Sequence, residues 1–111
     1  MKIQLLSIPF LLSLLLPVSA AEHDARLQAI ARMGQLNGIA LQCRYLDQMR
    51  RIKQVLIKNL PKERALGEWF EKTTQDAFMD FMQNDRACPG LIEFENDLDR
   101  ASRRIEEVFS R

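Results

Sequence analysis

Apolar residues recur at three- and four-residue steps along most of this chain, which predicts helices rather than strands. The most regular of these patterns predicts a helix from Leu91 to Phe109. Its apolar positions are Leu91, Phe94, Leu98, Ala101, Ile105, Val108 and Phe109. The opposite face is charged, as expected for a helix with one side in water. Neither the alternation of apolar and polar residues typical of strands nor an internal repeat is present.

The pattern upstream begins with a shorter segment, from Asp24 to Leu36, which predicts a first helix. We expect its core residues to be Leu27, Ile30, Ala31 and Met33. Gly34 and the pair Asn37-Gly38 are typical stop signals for a helix. An alternative is that this helix continues into the next one with a kink.

The next segment, from Ile39 to Leu60, predicts a second helix with an apolar arc of about 200°. So broad an arc indicates packing on two sides. Its apolar positions are Ile39, Cys43, Tyr45, Leu46, Met49, Ile52, Leu56, Ile57 and Leu60. Lys53 falls inside the arc, so we expect its stem to pack and its ammonium group to reach an acid on the following helix.

Pro61 ends the second helix and can serve as the first residue of a third, which is predicted from Lys62 to about Asn84. Its expected core face consists of Leu66, Phe70, Thr74, Ala77, Phe78 and Phe81. The residues from 84 to 90 include a Pro-Gly pair and predict a turn before the last helix.

The first twenty residues follow a different plan from the rest of the chain. Lys2 precedes an apolar run from Ile3 to Leu16, which is followed by Pro17-Val18-Ser19-Ala20-Ala21. A charged start, a short apolar run and small residues are the plan of a secretory signal peptide. A run of about fourteen residues reaches roughly 21 Å, short of a hydrocarbon core of about 30 Å, so we expect cleavage rather than a stable membrane anchor. We therefore predict a signal peptide at residues 1–20, a single helical domain at residues 21–111, and a periplasmic location in a Gram-negative-type cell.

Two cysteines, Cys43 and Cys88, lie in the predicted mature chain. An isolated pair in an oxidising compartment is most simply a disulfide, and neither the spacing of a redox pair nor that of a haem attachment is present. The helix lengths give an independent check. A path of about 26 Å from Cys43 to Leu60 and about 33 Å back brings Cys88 near Cys43. The predicted fold is therefore all-α, a small antiparallel bundle of three or four helices with one disulfide.

Charge changes this picture only locally, because the predicted mature chain carries 15 basic and 15 acidic residues. A neutral exported domain offers no basic surface for nucleic acid. The segment 44–64 nevertheless has seven basic and two acidic residues, whereas the segment 68–99 has two basic and nine acidic residues. Either two neighbouring helices complement each other across a hairpin, or an acidic face is left for a basic partner.

The composition argues against catalysis. The only histidine is His23, near the start of the predicted mature chain, so no Ser-His-Asp or Cys-His arrangement can form in a core. If cleavage follows Ala20, the chain begins Ala21-Glu22-His23, and its amine, two amides and imidazole form a nitrogen set that suits Cu(II) or Ni(II). Cleavage after Ala21 would remove this site. Metal binding there, or a small ligand between helices, is the alternative function.

A candidate binding surface lies on the third predicted helix. Trp69, Met79 and Met82 fall outside its core stripe, beside Asp76 and Asp80. A tryptophan and flexible methionines near acids are typical anchors for a protein partner. The other interpretation is that this helix is central and touches other elements on both sides.

In size, export and helical content the chain resembles two kinds of envelope protein, the acid-activated periplasmic chaperones and the helical immunity proteins that neutralise peptidoglycan amidases. Because no residue motif is shared, the resemblance implies no particular site. We expect a non-catalytic protein that acts by contact with another envelope protein, as an accessory, inhibitor or chaperone-like factor. A chaperone role predicts that acid loosens the acidic segment 68–99 and exposes apolar surface.

Overall fold

A computed structural model describes residues 16–110, with side chains from residue 20 onward. Most of the predicted leader, residues 1–15, therefore lies outside the described residues. The described part contains four helices and no strand, which confirms the all-α prediction. The helices are α1 Leu16–Cys43, α2 Leu46–Asn59, α3 Arg64–Gln83 and α4 Leu91–Phe109.

Consecutive helices run in opposite directions, with α1 at the centre of the bundle. It packs against each of the other three helices, and α2 also packs against α4. The indole of Trp69 on α3 meets Leu27 early in α1, whereas Thr74 meets Asn37 later in α1, so α1 and α3 run in the same direction. Helices α2 and α3 are consecutive but do not pack against each other along their length.

The first helix does not stop at Gly34 or at Asn37-Gly38, so the predicted end near Leu36 is wrong. These glycines bring α1 close to α3. A Cβ atom on Gly34 would lie 1.9 Å from Thr73 Oγ1, and one on Gly38 would lie 2.7 Å from the Thr74 carbonyl oxygen. The glycines therefore mark a close helix crossing, for which the absence of a side chain is required.

The single helix predicted from Ile39 to Leu60 is also wrong, because α1 ends at Cys43 and α2 begins at Leu46. Arg44 adopts a left-handed backbone conformation with φ of 62°. The Tyr45 amide donates a hydrogen bond to the Ala40 carbonyl at 2.9 Å. This is the Schellman arrangement for ending a helix, here with arginine in the place usually taken by glycine.

The same arrangement ends α3. Asp85 has φ of 50°, and the Arg86 amide donates to the Phe81 carbonyl at 3.2 Å. At its other end α3 begins at Arg64, so the prediction of Pro61 as its first residue is wrong by one turn. The predicted bounds of α4, Leu91 to Phe109, are confirmed.

All four helices contribute to one apolar core. It consists of Ala29, Ile30, Met33, Leu36, Ala40, Ile52, Leu56, Leu66, Phe70, Phe94, Leu98, Ala101 and Ile105. Three predicted core residues, Leu46, Ile57 and Leu91, are instead exposed. The apolar arc of α2 is wider than the strip that α1 and α4 cover, so part of it remains in water.

The disulfide between Cys43 and Cys88 is confirmed, with the two Cα atoms 5.8 Å apart. The ion pairs of the basic helix α2 differ from the expected pairing with α3. Arg51 of α2 pairs with Asp99 of α4, and no ion pair joins α2 to α3 among residues 20–110. Lys53 is exposed and makes no ion pair with an acid of α3 within this range, so its predicted packing and pairing are wrong. The basic helix is thus complemented by α4, beside which it lies.

Candidate functional site

The disulfide holds together one end of the molecule, where α1 and α3 finish and where α2 and α4 begin. Next to it, the Tyr45 hydroxyl donates a hydrogen bond to the Pro89 carbonyl oxygen. The Tyr45 ring also packs edge-on against Phe94, with ring centroids 5.4 Å apart. A covalent bond, a hydrogen bond and an aromatic contact therefore fix the connection before α4 to the connection after α1.

This end of the molecule carries most of the exposed apolar side chains. Of the seven large apolar residues exposed in the described part of the chain, six lie within about a turn of these four helix ends, and only Ile57 does not. We call the six the disulfide-end surface: Leu41, Leu46, Met79, Met82, Leu91 and Ile92. Leu46 is 60% exposed and Ile92 is 77% exposed. Apolar side chains gathered at one end of a small protein are typical of a contact surface.

The charged groups around the disulfide-end surface are mostly acidic. Asp80 accepts hydrogen bonds from Asn84 at 2.7 Å and from Arg86 at 3.0 Å. Asp85 and Glu93 are exposed and make no ion pair within the described residues. From residue 80 to residue 95 the sequence has four carboxylates and one arginine. The apolar side chains therefore lie in a negative surrounding.

The structure separates the predicted binding residues into two groups. Met79 is 43% exposed and Met82 is 47% exposed, both in the last turns of α3. Asp76 and Asp80 are exposed on the same helix, where they pair with Lys72 and Arg86 at 2.7 and 3.0 Å. These four predicted residues belong to the disulfide-end surface or adjoin it.

Trp69 lies elsewhere, nearer the start of α3. It is half-buried against the core, and its indole N–H donates a hydrogen bond to the Leu27 carbonyl oxygen of α1 at 2.8 Å. Its side chain thus fastens α3 to α1 and is not grouped with the two methionines. Trp69 therefore packs between two helices, as one interpretation of the sequence expected, whereas Met79 and Met82 are exposed, as the other expected.

Sequence reasoning missed four members of the disulfide-end surface, Leu41, Leu46, Leu91 and Ile92. Leu46 and Leu91 continue the apolar stripes of their helices, so periodicity assigns them to the core. Ile92 follows Leu91 directly and falls off the stripe of α4. An isoleucine on the charged face of an otherwise regular amphipathic helix was the one available signal.

A second apolar feature lies at the opposite end of α2, where the chain turns at Pro61. Helices α2 and α3 diverge from this turn and leave an open groove of about 490 Å³ between them. We call it the α2–α3 groove. Its apolar lining consists of Leu56, Ile57, Leu60, Leu66 and Phe70, and its charged lining of Lys53, Lys62, Glu63 and Glu71.

The predicted metal residue, His23, is exposed on α1. Among the described residues, no three His, Cys, Asp or Glu side chains lie close enough together to hold a metal ion. The predicted amino-terminal site depends instead on a backbone amine and amides, so it stays a prediction. Within residues 16–110, no helix has the length and apolar character needed to cross a membrane.

Comparison of the chain with protein-family models, with curated proteins and with solved structures found no match.

Proposed function

We propose that this protein is a small, non-catalytic protein of the periplasm that acts by binding another envelope protein through the disulfide-end surface. The observation that carries the proposal is the gathering of six exposed apolar side chains around the cystine. A disulfide fits an oxidising compartment, and the leader-like start of the sequence fits export.

The rigidity of this end supports a role in binding. The surface is assembled from the ends of four helices, and the disulfide together with the Tyr45 contacts holds those ends in place. A fixed surface loses little conformational freedom when a partner binds, so more of the contact energy appears as affinity. The methionines add side chains that adapt to the shape of a partner.

The charge around the surface defines the chemistry of the partner. Asp85 and Glu93 favour basic residues on a partner at the edge of the contact, whereas Leu46 and Ile92 favour apolar residues at its centre. We therefore expect the partner to present an apolar segment flanked by lysine or arginine.

A photo-reactive amino acid placed in turn at Ile92, Met82 and Ile57 tests this proposal in intact cells. We expect Ile92 and Met82 to crosslink to the same envelope protein, and Ile57, at the far end of α2, not to crosslink to it. The crosslinked protein, identified by mass spectrometry, is then purified for a binding measurement.

With that purified partner, we expect Ile92→Glu to weaken binding by about tenfold or more, because a charge replaces an apolar contact. Ile57→Glu is the matched control, since Ile57 is similarly exposed but lies outside the surface. Both variants should unfold at the same temperature as the parent protein. Equal binding by the parent protein and Ile92→Glu, or crosslinking without preference for position, would show that the disulfide-end surface is not the binding site.

A further inference from the structure

We propose that the α2–α3 groove is the contact surface between two copies of this chain, which form a two-fold symmetric dimer. This dimer is independent of the partner proposed for the disulfide-end surface, because the groove lies at the other end of α2. The occupant of each groove is the exposed edge of α2 from the second copy, centred on Ile57.

The first step of the argument is the apolar content of the groove. Leu56, Leu66 and Phe70 are each 8% exposed and form its floor, so they already belong to the core. Ile57 stands at the edge and is 81% exposed, the highest value of any large apolar residue described. An open apolar floor with an apolar side chain projecting beside it is a shape that a second copy can complete.

The second step is the distribution of charge on the two walls. Lys53 belongs to the α2 wall and Glu71 to the α3 wall. Both side chains are exposed, and neither makes an ion pair within the described residues. Lys62 and Glu63 lie in the connection at the end of the groove and carry opposite charges. The α2 wall is therefore positive at Lys53, the α3 wall is negative at Glu71, and the floor between them is apolar.

The third step is symmetry. In a two-fold contact, every pairing between a residue of one copy and a residue of the other occurs twice, with the two copies exchanged. Two copies of this groove, related in this way, place Lys53 of each copy opposite Glu71 of the other, while Ile57 of each faces the other's apolar floor. When the two-fold axis runs along the groove, the positive wall of each copy faces the negative wall of the other, so the surface is complementary to itself. The charge pattern therefore favours a second copy as the occupant.

The fourth step is the space available on the α3 wall. Gly67 lines the groove, and a Cβ atom placed on it would have no other atom within 4 Å. The wall is thus flat and open at the point where a second helix would approach.

Analytical ultracentrifugation of the exported, oxidised chain over a range of concentrations tests the proposal. We expect a monomer–dimer equilibrium that shifts toward monomer as salt is added, because the wall charges are solvent-exposed. Ile57→Glu should weaken the dimer by about tenfold or more without lowering the unfolding temperature. Ile92→Glu is the control and should dimerise like the parent protein.

Charge reversal gives the sharper test. Lys53→Glu alone brings two carboxylates together across the contact, and Glu71→Lys alone brings two ammonium groups together, so each variant should be monomeric. An equimolar mixture of the two should form heterodimers, because one variant has carboxylates at both positions 53 and 71 and the other has ammonium groups at both. Each wall contact of the heterodimer then joins opposite charges. The double variant Lys53→Glu/Glu71→Lys should recover the homodimer.

Three results would overturn the dimer: a parent protein that stays monomeric at every concentration, a dimer that Ile57→Glu leaves intact, or single reversals that do not recover on mixing. None of these results bears on the disulfide-end surface. Loss of partner binding in Ile92→Glu with an intact dimer, and loss of the dimer in Ile57→Glu with intact partner binding, would separate the two proposals.

Discussion

The close crossing of α1 and α3 makes a strong prediction about two glycines that differ only in their surroundings. Gly34 and Gly67 both lie inside helices, where alanine is intrinsically favoured over glycine by about 1 kcal/mol. Gly67 faces open space, so Gly67→Ala should raise the free energy of unfolding by about 0.5–1 kcal/mol. Gly34→Ala should lower it.

The magnitude for Gly34→Ala follows from the contact with Thr73. The new Cβ atom would lie 1.9 Å from Thr73 Oγ1 and 2.8 Å from Thr73 Cβ. Rotation of the Thr73 side chain leaves Thr73 Cβ in place, so it does not relieve the contact between that atom and the new Cβ atom of residue 34. Such a rotation would also break the hydrogen bonds that Thr73 Oγ1 donates to the Trp69 and Phe70 carbonyl oxygens. One of the helices must therefore move. The intrinsic preference of a helix for alanine applies at both positions and cancels in the comparison. Overpacking of this kind costs about 1–3 kcal/mol, so the two variants should differ by about that amount.

The chain contains its own probe for this measurement. Trp69 is the only tryptophan, and it lies at the contact between α1 and α3, where its indole N–H donates to the Leu27 carbonyl oxygen. Urea unfolding followed by tryptophan fluorescence therefore reports on this contact. In a domain of this size, each 1 kcal/mol shifts the unfolding temperature by about 4–8 °C. If Gly34→Ala proves as stable as Gly67→Ala, α1 and α3 are not as close as described.

Three further predictions concern single features. Replacing Cys43 and Cys88 with alanine should lower the free energy of unfolding by about 4 kcal/mol, the chain-entropy value for the loop that they close, as measured by urea unfolding beside the parent protein. Arg44→Gly should raise the unfolding temperature by several degrees, since glycine adopts a positive φ at a lower cost of about 1 kcal/mol; an unchanged or lower temperature would contradict the cap. A chain that begins at Ala21 should bind Cu(II) with the visible absorption of a four-nitrogen square-planar site, and His23→Ala should abolish that absorption.

Periodicity was sufficient to predict the fold class, because apolar residues at three- and four-residue steps mark the buried face of an amphipathic helix. It was misleading for the helix ends. Gly34 and Gly38 look like stop signals, but the helix continues through them because a neighbouring helix needs the space. The real break has no glycine at all, since Arg44 occupies the left-handed position. A glycine in the sequence shows that a helix can end there or that another helix can come close, and the tertiary contact determines which of these occurs.

The disulfide could be predicted from two considerations. An isolated pair of cysteines is expected to be oxidised after export, and an outward and a return path of similar length bring Cys88 back near Cys43. The candidate surfaces could not be predicted from the sequence, because the exposure of an apolar side chain depends on which other helix packs against it. Leu46 and Ile57 belong to the apolar arc of α2, yet α1 and α4 cover only its middle. Trp69 shows the reverse, since it falls outside its stripe and is nevertheless half-buried against α1.

The parallel path of α1 and α3 also connects the disulfide to the packing of these two helices. Gly34 and Thr73 are about forty positions apart along the chain, so their contact closes a long loop that contains the whole of α2. The same path of the chain carries Cys88 to Cys43. The disulfide therefore secures covalently the same long loop that the glycine-mediated contact between α1 and α3 closes by packing.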